Sequence, residues 1–127
     1  RERAAAALDF VGLSGRRDLP ADQLPFGLAR LLEIARALAA EPSILLLDEP
    51  AAGLNLRETA DLGRLIRRIV AQGVTVVMVE HDMDLVMGIS DRIVVLNYGE
   101  VIADGSPADI QRNPAVIAAY LGEEAVA

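Results

Sequence analysis

The chain has 127 residues, 53% hydrophobic and 24% charged, which is the composition of a globular domain and not of a disordered segment. Its net charge is −7, from 19 acidic residues against 12 basic ones that are all Arg, so bulk electrostatics make it a poor partner for nucleic acid. The lack of Cys removes disulfides, thiolate metal sites and thiol nucleophiles, a single His removes multi-histidine metal sites, and no run approaches the ~20 apolar residues needed to span a bilayer.

Residues 1 to 13 read as a helix: four alanines, then Leu8, Phe10 and Val11, with Gly12 as its stop. This apolar start is too short, and cut too soon by Asp9, to be a signal peptide, so a cytoplasmic location is the default. The chain opens on Arg1 and not on Met, as a piece of something longer would. Residues 14 to 27 carry Gly15, Pro20, Pro25 and Gly27 and read as loop. From Leu28 to Ala40, the positions Leu28, Leu31, Leu32, Ala35, Leu38 and Ala39 recur at helical spacing, and Glu41-Pro42 ends the helix.

Ile44 to Leu47 is a continuous apolar run closed by Asp48-Glu49-Pro50, the pattern of a buried parallel strand. Residues 57 to 71 predict a second amphipathic helix with Leu62, Leu65, Ile66, Ile69 and Val70 inward; its Arg64, Arg67 and Arg68 read as a solvated face. Val74 to Val79 is the next buried strand, ending in Glu80-His81-Asp82. A short helix over 83 to 89 precedes a strand over 92 to 96; Asn97-Tyr98-Gly99-Glu100 is turn chemistry, and Val101 to Ala103 returns antiparallel. Pro107 to Gln111 and Pro114 to Leu121 read as short helices with Pro in the first turn, and 122 to 127 as a frayed end. Strands alternating with helices argue for an α/β fold with a parallel sheet.

Open parallel sheets bind ligands outside the carboxyl ends of their strands. Two such ends here present Asp48-Glu49 and Glu80-His81-Asp82, which converge on one crevice if the strands are close neighbours. An adjacent Asp-Glu pair can divide labour there. The Asp helps to hold Mg²⁺, commonly through water, while the Glu orients or deprotonates the water that attacks a γ-phosphate, and His81 donates a hydrogen bond to that phosphate. Taken singly, an Asp-Glu-Pro after a strand is more often a solvated turn, and a lone His at a strand end is more often structural.

The ordered set of motifs resembles the second half of an ATP-binding cassette (ABC) ATPase. Ile44 to Pro50 looks like the Walker B strand with its catalytic glutamate, and Ala52-Gly53-Leu54-Asn55 like the D-loop. His81 matches the switch histidine of the H-loop. Leu24-Pro25-Phe26-Gly27-Leu28 occupies the place of the family signature Leu-Ser-Gly-Gly-Gln, followed by Glu33 to Leu38 of the signature helix. Glu80 to Met83, Ile89 to Arg92, Asn97 to Gly99 and the ending Asn113-Pro114 to Tyr120-Leu121-Gly122 are similar to the ATPase subunits of branched-chain amino acid importers. Two departures stand out. There is no Gly-x-x-x-x-Gly-Lys-Ser/Thr phosphate loop, and no adenine-stacking loop or Q-loop before the helical subdomain in which the chain begins. The signature is eroded: Pro25 brings neither hydroxyl nor N–H where the family has Ser, and Leu28 replaces Gln, while Gly27 remains.

The resemblance implies part of a P-loop NTPase (ABC ATPase) fold: a mostly parallel sheet flanked by helices, with a piece of the helical subdomain at the N-terminus. Its expected divisions are 1–40, the end of that subdomain with the signature and its helix; 41–106, the Walker B, D-loop and H-loop core; and 107–127, a helical tail. It further implies the C-terminal portion of an importer's ATP-binding subunit, which hydrolyses ATP with Mg²⁺ in a dimer. In it, Glu49 and His81 are catalytic and Asp48 serves the metal. Pro25, Phe26, Gly27 and Leu28 close on the nucleotide held by the second ATPase subunit, and Gly53, Leu54 and Asn55 meet that subunit. Membrane permease subunits are the other partners, with no nucleic acid and no insertion of this chain into the bilayer; the location is the cytoplasmic face of the cell membrane. Alone, the chain is expected to hydrolyse no ATP. With the rest of the sheet missing, it leaves an open edge and an uncovered apolar face, and is expected to associate. The alternative is a non-catalytic dimerisation or regulatory module derived from such an ATPase. A third reading, a duplex-handling ATPase, is opposed by the acidic charge.

Overall fold

A computed structural model describes residues 1 to 121; the expectation for residues 122 to 127 lies outside them. Backbone contacts group the chain into two units, Arg1–His81 and the stretch from Asp82 onward.

In the first unit, α1 (Glu2–Val11) ends on Gly12, whose φ of 87° makes it a left-handed cap. Single 3₁₀ turns follow at Ser14–Arg16 and Ala21–Gln23. Next, α2 (Phe26–Leu38) starts two residues before the apolar stripe does, because Pro25 already holds φ −55° and its carbonyl accepts the first helical bond from Ala29 N–H. Phe26 and Gly27 therefore lie in a helix's first turn and not in a loop. Helix α2 packs on α1 and buries Ile34 and Ala35, with the rest of its stripe half-buried.

Strand β1 (Ile44–Asp48) pairs in parallel with β2 (Thr75–Val79), from Ile44 opposite Thr75 to Asp48 opposite Val79. Between them, α3 (Leu56–Ala71) packs on β2. It buries Leu62, Leu65, Ile66 and Ile69 as the spacing predicts, but Val70 is 44% exposed, since one residue past Ile69 the helix has turned about 100° off the stripe. Arg68 is more than a solvated cation: its guanidinium lies 4.4 Å above the Phe10 ring. The strands also differ from expectation. Leu45 is buried while Ile44, Leu46, Val77 and Val79 are exposed, because the helices of this unit cover one face of the pair. The other face is the uncovered apolar surface that the sequence predicts.

In the second unit, α4 (Met83–Ile89) begins on Asp82, whose carboxylate accepts the Leu85 N–H. Strands β3 (Ile93–Asn97) and β4 (Glu100–Gly105) form the expected antiparallel hairpin, with an irregularity between Val95 and Leu96. Its turn residues Tyr98 and Gly99 have φ of 50° and 78°, the signs a type I′ turn needs. Helix α5 (Pro107–Arg112), capped by Ser106, and α6 (Pro114–Val116) pack on β4. The chain continues as a π turn, Ile117–Leu121, whose Tyr120 hydroxyl donates to the Leu96 carbonyl.

Candidate functional site

The carboxyl ends of β1 and β2 are brought side by side by their parallel register, and the strand-end residues follow from that. Asp48 is the last residue of β1 and is exposed. Its carboxylate has no hydrogen bond or ion pair among the described residues. It lines a small cavity of about 180 Å³ together with Arg30, Glu33 and Pro50.

Glu49 takes a left-handed backbone, φ 46°, which L-residues with a long side chain seldom adopt. Its N–H still donates to Val79 O at 2.7 Å, so the parallel ladder reaches one residue past the strand before the chain turns. The positive φ re-aims the side chain, and Glu49 Oε1 comes within 3.7 Å of His81 Nε2, both groups being more than half exposed. The two residues chosen from sequence as catalytic thus meet, at a spacing longer than a hydrogen bond. Asp82, grouped with them in the sequence, spends its carboxylate on the cap of α4.

Glu80 carries a role that the sequence reading did not give it. One carboxylate oxygen accepts the Ala51 N–H and the other the His81 N–H, each at 3.0 Å. Its neighbourhood to His81 was the only available signal, because its partner Ala51 lies 29 residues away.

The segment after Glu49 turns through Gly53, φ 78°, into α3. There Asn55 and Glu58 form a reciprocal capping box: Asn55 Oδ1 accepts Glu58 N–H at 2.8 Å and Glu58 Oε1 accepts Asn55 N–H at 3.1 Å. Leu54 N–H donates back to Ala51 O. The first turn of α2 lies against this segment. A Cβ on Gly53 would stand 2.7 Å from the Phe26 ring, and one on Gly27 would stand 1.9 Å from Glu58 Oε2. A side chain at either position would thus displace Glu58 from its capping geometry or Phe26 from its place, and Gly53 in addition holds a positive φ. Arg30 reaches the Ala52 carbonyl at 3.4 Å and covers the Phe26 ring at 5.3 Å. Pro25 makes no side-chain cap at the start of α2, as its lack of a hydroxyl requires, and Leu28 follows in the same turn. Phe26, Gly27, Gly53, Leu54 and Asn55 thus gather at one locality, and Asp48, Glu49 and His81 at another, joined by the turn from 49 to 53.

A divalent metal fits this site in one respect: Asp48 offers an exposed hard oxygen donor with no internal partner. Among the described residues no group of three metal-ligating side chains exists, so the protein would supply fewer than three such ligands. That suits Mg²⁺, which keeps several waters and takes one or two carboxylates beside phosphate oxygens.

Known proteins match this arrangement in chain order. The ABC transporter family matches residues 1–52, and the family of branched-chain amino acid ATP-binding cassette transporters matches residues 100–126. The high-affinity branched-chain amino acid transport ATP-binding protein LivG of Escherichia coli is 50% identical over 96% of this chain and 48% of its own length. Its counterpart BraF of Pseudomonas aeruginosa is 53% identical over the same shares. The crystal structure of the ADP conformation of MJ1267, an ATP-binding cassette of an ABC transporter, superposes with a TM-score of 0.87 at 32% identity, over 95% of this chain and 49% of that one. The chain spans about half the length of the curated relatives it matches. With both family matches in order, and this identity sustained over nearly all of its own length, the chain has the fold of an ABC ATPase cassette and resembles the ATP-binding subunits of ABC transporters.

Proposed function

We propose that this chain supplies the hydrolytic edge of an ATP-binding subunit that powers import of branched-chain amino acids. The observation that carries the reading is the meeting of Glu49 and His81, 3.7 Å apart, beside the unpartnered carboxylate of Asp48 at the ends of two paired parallel strands. In this reading Glu49 accepts a proton from the attacking water, and His81 holds the γ-phosphate by a hydrogen bond. Asp48 would hold Mg²⁺, which when bound neutralises phosphate charge. The first turn of α2, residues 25 to 28, closes on a nucleotide carried by a second subunit. The segment Gly53 to Asn55 faces that subunit. The names of LivG and BraF support the cargo, and permease subunits at the cytoplasmic face of the membrane are the implied partners. No helix among the described residues is long and apolar enough to cross a membrane.

The test is a fusion in which this chain replaces the matched half of LivG from Escherichia coli. ATP hydrolysis by the fusion is expected, and Glu49→Gln should lower kcat by about 10²- to 10⁴-fold, the range for a lost general base. Hydrolysis that survives Glu49→Gln would refute the reading. The second reading, a non-catalytic dimerisation module, is favoured by one observation, the uncapped start of α2 at Pro25. A fusion that dimerises with no hydrolysis, before and after Pro25→Ser, would select it.

A further inference from the structure

We infer that Glu80 is a positioning residue whose carboxylate bolts the loop after β1 to the loop after β2, and so sets the approach of Glu49 to His81. The inference rests on the reading of that pair as the reacting groups. Glu80 follows β2 directly and is half-buried. Its two oxygens are divided between two backbone donors: Oε2 accepts from Ala51 N–H and Oε1 from His81 N–H, both at 3.0 Å. Ala51 is itself buried and stands two residues after Glu49, within the turn that the positive φ of Glu49 begins.

Glu49 is consequently held on both sides. Its own N–H is tied to Val79 O at 2.7 Å, and the residue two further on is tied to Glu80. His81 is held by the same carboxylate through its N–H. A left-handed glutamate is strained and persists only where its surroundings over-determine it, and this double tie is what over-determines it here. Bonds from N–H to a carboxylate are roughly twice as strong as neutral ones, so one side chain suffices. A neutral amide at position 80 can accept from only one of the two donors, because its NH₂ faces an N–H.

The test uses the 127-residue chain without nucleotide, and reads backbone amide exchange together with the ring resonances of His81, the one histidine in the sequence. Glu80→Gln is expected to speed exchange at Ala51 or His81 by about ten- to a hundredfold, the worth of one bond to a charged group. In the parent, Glu49→Gln is expected to move the His81 ring signals at fixed pH; in the Glu80→Gln background that response should be lost. If both amides keep their parental exchange, the inference is overturned. If an amide loosens but the ring signals still respond in full to Glu49→Gln, the bond is structural only and the positioning role is overturned. Should Glu80→Gln fail to fold, Glu80→Asp keeps the charge but is one methylene too short to reach both donors, and the same two readouts decide. No step of this test involves hydrolysis, so its failure leaves the fusion experiment intact, and the failure of that experiment leaves the bridge to be judged here.

Discussion

The parallel pair β1–β2 and the hairpin β3–β4 each end in a residue forced into left-handed backbone, and what surrounds the two residues differs. At Glu49, φ 46°, the flanking amides are tied to Val79 O and to the Glu80 carboxylate, and the side chain is delivered to His81. At Tyr98, φ 50°, the side chain is 98% exposed and the φ serves only a two-residue turn shared with Gly99. Strain held by a network and aimed at a neighbouring side chain belongs to a site; strain at a solvent-facing turn is the cost of an unfavourable residue choice. In packing the two pairs are alike. Helices cover one face of each, burying Leu45 in β1 and Ile93 and Ala103 in the hairpin, while Leu46, Val77 and Val79 of the first and Val94, Leu96 and Val101 of the second are each more than half exposed.

The largest expected effect probes that packing. Ile69 is 1% exposed, so Ile69→Ala should destabilise by about 2–5 kcal/mol, as for a buried aliphatic truncation. Leu96, 52% exposed, should lose no more than about 0.5 kcal/mol on the same change. Urea midpoints at unchanged m-value measure both. Equal losses would erase the distinction between a helix face packed on a strand and an open strand face.

The second prediction separates the two left-handed residues. Asn tolerates this region far better than Tyr, so Tyr98→Asn should stabilise by about 1 kcal/mol with no effect on hydrolysis by the fused protein. Glu49→Asn should relieve strain of similar size, again about 1 kcal/mol, and abolish that hydrolysis. A gain at Tyr98 together with a loss of activity, or activity retained without Glu49, would break the assignment of one strained residue to a site and the other to a turn.

Much of this was legible in the sequence because it depends on neighbours in the chain. Apolar runs closed by acids marked β1 and β2, and parallel pairing then had to bring Asp48, Glu49 and His81 to one edge. The hairpin was legible from its Tyr-Gly turn. What escaped depends on residues far apart. The fit of Phe26 over Gly53, the Gly27 approach to Glu58, the Arg68–Phe10 stack and the Glu80–Ala51 bond each join positions that no period relates. The half-exposed strands escaped for another reason: an apolar run reports that a strand can be covered on both faces, not which face this chain covers. The early start of α2 was hidden by Pro25 and Gly27, which read as loop residues although Pro is well suited to the boundary of a helix.

The smallest effect lies on the hairpin. Arg92 donates through Nε and Nη2 to the two oxygens of Asp104, at 2.7 and 2.5 Å. These hydrogen bonds hold the Asp104 carboxyl below its ordinary range and raise Arg92 above its own. A carboxylate depressed in the folded state contributes stability that is complete above its unfolded pKa and is lost as pH falls through the folded one. The raised Arg92 has the opposite sign, contributing below its unfolded pKa and losing that only in strong alkali, so it adds no slope in acid. Asp104→Asn should therefore remove a small loss of Tm that the parent shows on acidification below the ordinary carboxylate range. Because the pair is solvated, the difference between parent and variant should shrink further in high salt. An acid slope left unchanged by Asp104→Asn would move it to other carboxylates, and the hairpin would then differ from the parallel pair in the surroundings of its strained residue alone.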